Sequence, residues 1–300
     1  MSSARLIDGK AISAQIHSET KARAQALKER HGIVPGITFV RVGEDPASRA
    51  YVRMKGAKAE ELGIHSETIV LDEATPQAEL LALIDKLNRD PKVHGILVQA
   101  PLPKQIREDE IFSTIDYRKD VDGFHPVNVG KLLLGQHPLF KPCTPAGVHE
   151  LLIRTGVPTS GAEVAILGRG NIVGKPMAAI LLQKEKHADA TVTLLHSRSR
   201  NITEHCRRAD ILIAAMGQAH FVKADMVKPG AVVIDVGVNR VDDPSAKNGY
   251  RLVGDVDFAA VSQVAGAITP NPGGVGPMTI AMLLSNTVRA AEMAQGILAP

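Results

Sequence analysis

A tyrosine and a lysine lie four residues apart, Tyr51 and Lys55, in a stretch that the sequence predicts to be helical, with Ser48 one turn earlier. Residues at this spacing share one face of a helix. An aromatic ring beside an amine would suit acid–base chemistry on a flat substrate. Taken alone, the pair is also typical of a packed tyrosine beside a solvated lysine, so its interpretation depends on other segments.

A glutamine and two prolines end an apolar run at Gln99, Pro101 and Pro103, with Leu102 between the prolines. This pattern is typical of the carboxyl edge of a parallel sheet, where α/β proteins bind ligands. An amide there can orient a neighbouring polar group by hydrogen bonds. Beside a buried lysine, a neutral amide leaves the lysine pKa lowered, whereas a carboxylate would raise it.

Two aspartates, Asp120 and Asp122, lie in a segment that is typical of a loop. Calcium does not suit this loop, because Phe124 stands where an oxygen ligand is needed. Neither a CxxC pair nor an HExxH helix occurs, so the sequence predicts no metal site. The two cysteines, Cys143 and Cys206, are too few for a disulfide framework, and we predict that they are packed thiols.

A glycine-rich loop follows the apolar run Glu163–Leu167 and precedes a predicted helix. Glycines in such a loop let the backbone approach a pyrophosphate, whose charge the amides at the helix start stabilise. The third glycine comes one residue later than in the usual GxGxxG pattern, so an ordinary strand-to-helix turn is the alternative interpretation. The loop consists of Gly168, Arg169, Gly170, Asn171, Ile172, Val173 and Gly174.

The end of the next predicted strand carries no acidic residue for ribose hydroxyls, but instead the run His196, Ser197, Arg198, Ser199 and Arg200. Together with Arg169, its hydroxyl and guanidinium groups suit the 2′-phosphate of NADP, because arginine binds phosphate oxygens in a charged fork. The sequence therefore favours NADP over NAD. A solvated turn is the competing interpretation.

Strands and helices alternate along the chain, which predicts an α/β fold with parallel sheets and, in the second half, a Rossmann-type rhythm. Asp45-Pro46 and Thr75-Pro76 each suggest an N-cap followed by proline at the first helical position, and Gly63 suggests a helix end. Thr144-Pro145 suggests a connecting helix at a domain junction. The predicted strands span residues 36–42, 66–71, 93–98, 163–168, 191–196, 211–215 and 231–236, and predicted helices lie near 46–62 and 76–88.

The 300 residues suffice for two domains, and we expect them at 1–145 and 146–277, with a C-terminal helix over 278–300 that packs back onto the first. A net charge of +3 with both signs interspersed indicates no nucleic-acid partner. The most apolar helical run, Met278–Leu284, is too short for a bilayer, and the N-terminus lacks a signal-peptide pattern. We therefore expect a cytoplasmic protein without a membrane partner.

Taken together, these segments resemble the bifunctional methylenetetrahydrofolate dehydrogenase/methenyltetrahydrofolate cyclohydrolase family of the FolD type. One departure is Gly170, which stands where the family has serine, so a hydroxyl contact to cofactor phosphate is absent. The resemblance covers nearly the whole chain. It is carried by residues 6–10, 48–55, 98–103, 120–124, 142–145, 168–176, 235–237 and 270–279.

The resemblance implies a folate substrate, NADP as cofactor, a cleft between the two domains and a homodimer formed through the cofactor domains. It implies that Lys55 is the general acid/base, Gln99 tunes it, Tyr51 flanks the pterin and Asp122 anchors its polar edge. A dehydrogenase without hydrolase activity and a non-catalytic dinucleotide-binding protein are the alternatives. Further implied substrate-binding residues are Pro101, Leu102, Pro272 and Gly273, and the implied cofactor-binding residues are Gly168, Arg169, Gly170, Val173, Gly174, His196, Ser197, Arg198, Val238, Gly276 and Thr279.

Overall fold

The computed structural model describes residues 3–246 and 249–298. In chain order its strands are β1 (Arg5–Leu6), β2 (Gly36–Val42), β3 (His65–Leu71), β4 (Gly95–Val98), β5 (Glu163–Leu167), β6 (Thr191–Leu195), β7 (Ile211–Ala214), β8 (Val232–Asp235), β9 (Asn239–Asp242), β10 (Tyr250–Val253) and β11 (Ala267–Ile268). Its α-helices are α1 (Gly9–His31), α2 (Pro46–Glu61), α3 (Gln77–Arg89), α4 (Glu108–Thr114), α5 (Pro126–Leu133), α6 (Cys143–Arg154), α7 (Gly174–Leu181), α8 (Ile202–Arg208), α9 (Phe258–Val261) and α10 (Val275–Ala294). Within the described ranges, no helix is both long and apolar enough to cross a membrane.

The chain divides into two compact units that interleave along the sequence. The first, here called the three-strand unit, contains residues 14–131, 136–143 and 280–300. The second, here called the six-strand unit, contains residues 1–13, 132–135 and 144–279. The first thirteen residues thus belong to the unit with the larger sheet, although the sequence analysis grouped them with residues 14–145.

A parallel sheet of order β3-β2-β4 lies at the centre of the three-strand unit. All seven residues of β2 are buried, as expected of a strand covered on both faces. One core cluster includes Phe39, Phe140 and the α10 residues Leu284 and Val288. A second includes Val40 and α3 side chains.

Helix α2 has the predicted start and end. The side chain of Asp45 accepts a hydrogen bond from the backbone N–H of Ser48 at 2.7 Å, and Pro46 takes the first helical position. The helix ends in a Schellman motif, in which Gly63 adopts φ +78° and Ile64 N–H donates to the carbonyl of Ala59.

Two predicted helix starts are wrong. Helix α3 begins at Gln77 with Pro76 as its N-cap, and no side chain caps it, so Thr75 is not the capping residue. Helix α6 begins at Cys143, which places Thr144 and Pro145 within its first turn. Because proline lacks an N–H, it is tolerated anywhere in the first turn, so its presence marks the region of a helix start and not one residue.

The six-strand unit contains a fully parallel sheet of order β1-β11-β8-β7-β5-β6. Chain order reverses between β5 and β7, because β6 lies on one side of β5 and the later strands lie on the other. Such a switch point is where open α/β sheets bind ligands outside the carboxyl ends of the strands. The predicted α/β class with a Rossmann-type unit is confirmed, although the short strands β1 and β11 and the antiparallel pair β9 and β10 were not predicted.

Candidate active site

In the three-strand unit, a buried lysine meets a glutamine. Lys55 is only 9% exposed, and its Nζ donates a hydrogen bond to Oε1 of Gln99 at 3.0 Å. Gln99 Nε2 donates to the carbonyl of Ala100 at 2.7 Å, which fixes which end of the amide faces the lysine. The amine on α2 and the amide after β4 therefore form one hydrogen-bonded pair.

The electrostatics of this site lower the pKa of the lysine. Burial is the largest cause, and the nearby Asp122 carboxylate and Cys143 act in the opposite direction. Burial also raises the pKa of Asp122, against the opposing effects of nearby Lys55 and Cys143. Desolvation thus outweighs the attraction between the two charges, and the lysine is brought closer to a proton-accepting state at neutral pH.

The two aspartates of the loop have different surroundings. Asp120 accepts hydrogen bonds from the N–H groups of Gly123, Phe124 and His125 at 2.8–3.2 Å, and from Asn128 Nδ2 at 2.9 Å. Burial raises the pKa of Asp120 to about 7, although these hydrogen bonds oppose the shift. Asp120 therefore closes the turn that carries Asp122.

Cys143 is a packed thiol, as predicted, and it also contacts the turn that carries Asp122. Its backbone N–H donates to the carbonyl of Asp122 at 3.2 Å, and its thiol donates to the carbonyl of Val121 at 3.2 Å. Asn286 on α10 donates to the same Val121 carbonyl at 2.8 Å. Burial raises the pKa of the Cys143 thiol well above its usual range, so the thiol acts as a hydrogen-bond donor. No spacing in the sequence indicated this contact.

The other predicted substrate-binding residues of this unit lie nearer the surface. Tyr51 is 42% exposed on α2, Pro101 is exposed and Leu102 is half-buried. The backbone N–H of Leu102 donates to the Glu108 carboxylate at 3.1 Å, which anchors the segment after β4. An exposed aromatic ring near Lys55 offers a flat apolar surface.

In the six-strand unit, the glycine loop joins β5 to α7. Gly168 has φ +115°, which favours glycine, and an added Cβ would overlap the carbonyl of Ala215. An added Cβ on Gly174 would lie 2.6 Å from the carbonyl carbon of Gly168 and 2.8 Å from Cα of Arg169. Val173 precedes α7 without a side-chain cap. Lys175 N–H donates to the carbonyl of Gly170 at 3.1 Å and Pro176 has no N–H, so among the first three residues of α7 the amide of Gly174 is the one that can bind a phosphate.

The segment after β6 forms a closed turn with exposed cations. His196 N–H donates to Oγ of Ser199 at 2.9 Å, and Arg198 N–H donates to Nδ1 of His196 at 3.1 Å. Ser197, Arg198 and the loop residue Arg169 are exposed, while Gly170 has no neighbour within 4 Å of an added Cβ. Exposed guanidinium groups beside an open glycine loop fit a phosphorylated ligand.

The remaining predicted residues also belong to the six-strand unit. Gly273 has φ +107°, and its carbonyl accepts a hydrogen bond from Lys10 N–H at 3.1 Å. The hydroxyl of Thr279 pairs with that of Thr144 at 3.0 Å, and Val238 is 56% exposed. Pro272 and Gly276 flank this turn, and Gly276 has open space around it.

The fold and these residues define a two-unit α/β protein with a Rossmann-type sheet and a buried, hydrogen-bonded lysine–glutamine pair. Residues 7–122 match the tetrahydrofolate dehydrogenase/cyclohydrolase catalytic domain, and residues 142–295 match the NAD(P)-binding domain of the same family. The chain belongs to the tetrahydrofolate dehydrogenase/cyclohydrolase family.

Individual relatives span the full chain. The chain is 56% identical to the bifunctional protein FolD of Chlorobium chlorochromatii, over 97% of this chain and 99% of the relative. A crystal structure of the bifunctional FolD dehydrogenase/cyclohydrolase of Campylobacter jejuni superposes with a TM-score of 0.91 at 48% identity, covering 98% of this chain and 100% of that one. The FolD structure of Trypanosoma brucei, complexed with NADP and an inhibitor, gives a TM-score of 0.93 at 39% identity, with both chains fully covered.

Proposed function

We propose that this chain is a bifunctional one-carbon folate enzyme. It oxidises 5,10-methylenetetrahydrofolate to 5,10-methenyltetrahydrofolate with NADP, and it hydrolyses the product to 10-formyltetrahydrofolate. The observation that carries this proposal is the buried Lys55–Gln99 pair in a chain of this family. The pair supplies the proton acceptor that hydrolysis needs and that oxidation alone does not.

The oxidation needs little from the acid–base centre. In methylenetetrahydrofolate the lone pairs of the two flanking nitrogens expel a hydride from the methylene carbon, so placement of the substrate dominates. Bound NADP supplies the hydride acceptor. In this proposal the residues that hold it are the glycine loop from Gly168 to Gly174, the turn His196–Arg198, and Val238, Gly276 and Thr279.

The hydrolysis makes a direct demand on Lys55. Water attacks the methenyl carbon and a new C–O bond forms. One C–N bond then breaks, one proton of the water moves to the nitrogen that leaves, and the other is released to solvent as the formyl C=O forms. A neutral Lys55 amine accepts the proton from water and returns it to that nitrogen, while Gln99 holds the amine in place. Tyr51 flanks the pterin, Asp122 binds its polar edge, and Pro101, Leu102, Pro272 and Gly273 complete the substrate contacts.

The substitution Lys55→Met tests this division of labour. We expect hydrolysis of methenyltetrahydrofolate to fall by about 10²–10⁴-fold, the usual contribution of a positioned acid–base group, while NADP reduction stays measurable. Both rates are followed by absorbance, run with NAD and with NADP in parallel, and the folate product is identified by chromatography.

Lys58→Met is the matched control, because Lys58 lies on the same helix in an ion pair with Glu61, with its side chain one-third exposed. It should keep both activities. Unimpaired hydrolysis in Lys55→Met would refute the role of Lys55. A wild-type enzyme that reduces NADP but never forms 10-formyltetrahydrofolate above the uncatalysed level would establish the single-activity alternative.

We further propose that the protein forms a homodimer through its six-strand unit and acts in the cytoplasm. Support for the dimer comes from the family resemblance. Support for the location comes from the two buried free thiols, which suit a reducing compartment.

A further inference from the structure

Two buried aspartates, Asp235 and Asp255, lie at the carboxyl edge of the six-strand sheet. They are 3% and 1% exposed, and within the described ranges neither forms an ion pair. Asp235 is the last residue of β8, and Asp255 follows β10 by two residues. A buried carboxylate without a cation is unfavourable unless hydrogen bonds compensate it. The hydrogen bonds that these two carboxylates accept therefore indicate their role in the structure.

Asp255 holds the loop that follows β7. Its Oδ2 accepts from the backbone N–H groups of Met216 at 2.6 Å and Gly217 at 3.0 Å, and its Oδ1 accepts from Gln218 N–H at 2.9 Å. Asn239 Nδ2 donates to the same Oδ1 at 2.9 Å. One side chain thus binds three successive amides of a loop that is exposed at Gly217 and Gln218.

Asp235 in turn holds Asp255 in place. Its Oδ1 accepts from the N–H groups of Gly237 at 3.1 Å and Asp255 at 2.9 Å, and its Oδ2 accepts from Val256 N–H at 3.2 Å. Added Cβ atoms on Gly237 and Gly254 would overlap the Asp255 and Asp235 carboxylates respectively. The two carboxylates and their glycines form one fitted unit, here called the carboxylate clamp.

The loop held by the clamp borders the glycine loop. Ala215 N–H donates to the carbonyl of Leu167 at 2.7 Å, and Gly168 has no room for a side chain because of the Ala215 carbonyl. The loops after β5 and β7 flank the switch point of the sheet, where a dinucleotide lies in this architecture. At the opposite end of the same strands, the Asp210 carboxylate forms a partly exposed ion pair with Lys228. The buried acceptors are therefore concentrated at the ligand-binding edge.

We propose that Asp255, held by Asp235, is a positioning residue that fixes the loop 215–218 against the glycine loop and thereby shapes the dinucleotide site. This inference rests on the proposed use of NADP. The clamp touches backbone amides and not the ligand, so its loss acts on cofactor binding through the loop. Hydrolysis of methenyltetrahydrofolate needs no dinucleotide, which gives the same protein an internal reference.

The substitution Asp255→Asn keeps the shape of the side chain and removes part of its acceptor capacity, because an amide nitrogen cannot accept from Met216 or Gln218 N–H. We expect NADP binding, measured by calorimetric titration, to weaken by about tenfold or more, as the loss of a charge-assisted hydrogen bond implies. The KM for NADP should rise in step. Hydrolysis measured without dinucleotide should fall by a clearly smaller factor than NADP binding, since Lys55 and Gln99, which carry the proposed acid–base step, lie in the other unit. Asp210→Asn, at the opposite sheet edge, is the matched control and should bind NADP like wild type.

If Asp255→Asn is folded and binds NADP like wild type, the inference is overturned. Parallel loss of binding and hydrolysis would also overturn it, because that is the signature of a purely structural group. Should Asp255→Asn fail to fold, Asn239→Ala decides: it removes one donor to Asp255 while leaving the three backbone contacts, and we expect NADP binding to weaken severalfold. Unchanged binding in that variant counts against the clamp. If wild type itself neither binds nor reduces NADP, the proposed function fails instead.

Discussion

Lys55, the proposed acid–base group, pairs with an amide oxygen, and the neutral partner leaves the effect of burial on the lysine pKa uncompensated. A carboxylate at the position of Gln99 would stabilise the ammonium form and raise the lysine pKa. With Gln99 accepting at 3.0 Å, burial dominates and lowers it. The nearby carboxylate, Asp122, opposes this shift, but burial raises the pKa of Asp122 as well.

Single residues differ in how far the sequence could predict their surroundings. The pairing of Lys55 with Gln99 was expected from the family resemblance, whereas the residues themselves indicated only that Gln99 ends a strand at a ligand edge. In the sequence, Asp120 and Asp122 could not be distinguished. The structure shows that Asp120 accepts the hydrogen bonds that close the turn, whereas Asp122 is the carboxylate that acts on Lys55. Cys143 was read as a packed thiol, and its contacts with the Asp122 loop depend on folding that brings distant segments together.

Replacing Asp122 by asparagine should shift the pH dependence of hydrolysis to lower pH. In the proposed hydrolysis the active form of Lys55 is deprotonated, so the rate is lost as pH falls through the lysine pKa. The Asp122 carboxylate raises that pKa, and its removal should lower the pKa further. The measurement is kcat/KM for methenyltetrahydrofolate across pH, after subtraction of the uncatalysed rate.

Asp116→Asn serves as the control for this profile, because Asp116 forms an ion pair with Arg118 at 2.6 Å near the same loop. Its acid limb should coincide with that of wild type. An acid limb in Asp122→Asn that moves to higher pH would contradict the assigned electrostatics.

Among the secondary-structure elements, those with strong local signals were predicted best. Helix α2 combines an N-cap aspartate, a proline and a C-terminal glycine, and it starts and ends as predicted. Strands β1 and β11 have two residues each and are defined by pairing between opposite ends of the chain, so no local window contains their signal. The strands β9 and β10 flank Lys247 and Asn248, which lie outside the described residues.

The cap of helix α2 should contribute measurably to stability. In Asp45→Ala the N–H of Ser48 loses its acceptor, and we expect a loss of about 1 kcal/mol in the free energy of unfolding. Thermal unfolding should shift downward by about 2–4 °C. Asp45→Asn keeps a capping oxygen and should lie within a few tenths of a kcal/mol of wild type. Equal destabilisation by both variants would show that the cap hydrogen bond is not the cause.

At the scale of the whole molecule, the two units are assembled from interleaved segments. From the sequence we expected domains at 1–145 and 146–277, and helix α6 begins at Cys143. No local pattern predicts that residues 1–13 and 132–135 join the six-strand unit, because that grouping depends on contacts such as β1 with β11. Lys55 and the glycine loop therefore belong to different compact units, and we expect substitutions to affect the two proposed activities separately.

The substitution Gly174→Ala should impair the NADP-dependent oxidation and leave the hydrolysis. The added Cβ would meet backbone atoms of Gly168 and Arg169 within 3 Å, so the glycine loop and the start of α7 must move apart. Misplacement on the scale of 1 Å can cost about 100-fold in rate, and we expect a loss of that size in NADP-dependent oxidation. Hydrolysis of methenyltetrahydrofolate without dinucleotide should persist, because Lys55 and Gln99 are untouched.

Gly130→Ala is the control, since an added Cβ at that helical glycine meets nothing within 4 Å. Loss of both activities in a Gly174→Ala protein that remains folded would mean that hydrolysis also depends on the dinucleotide-binding unit.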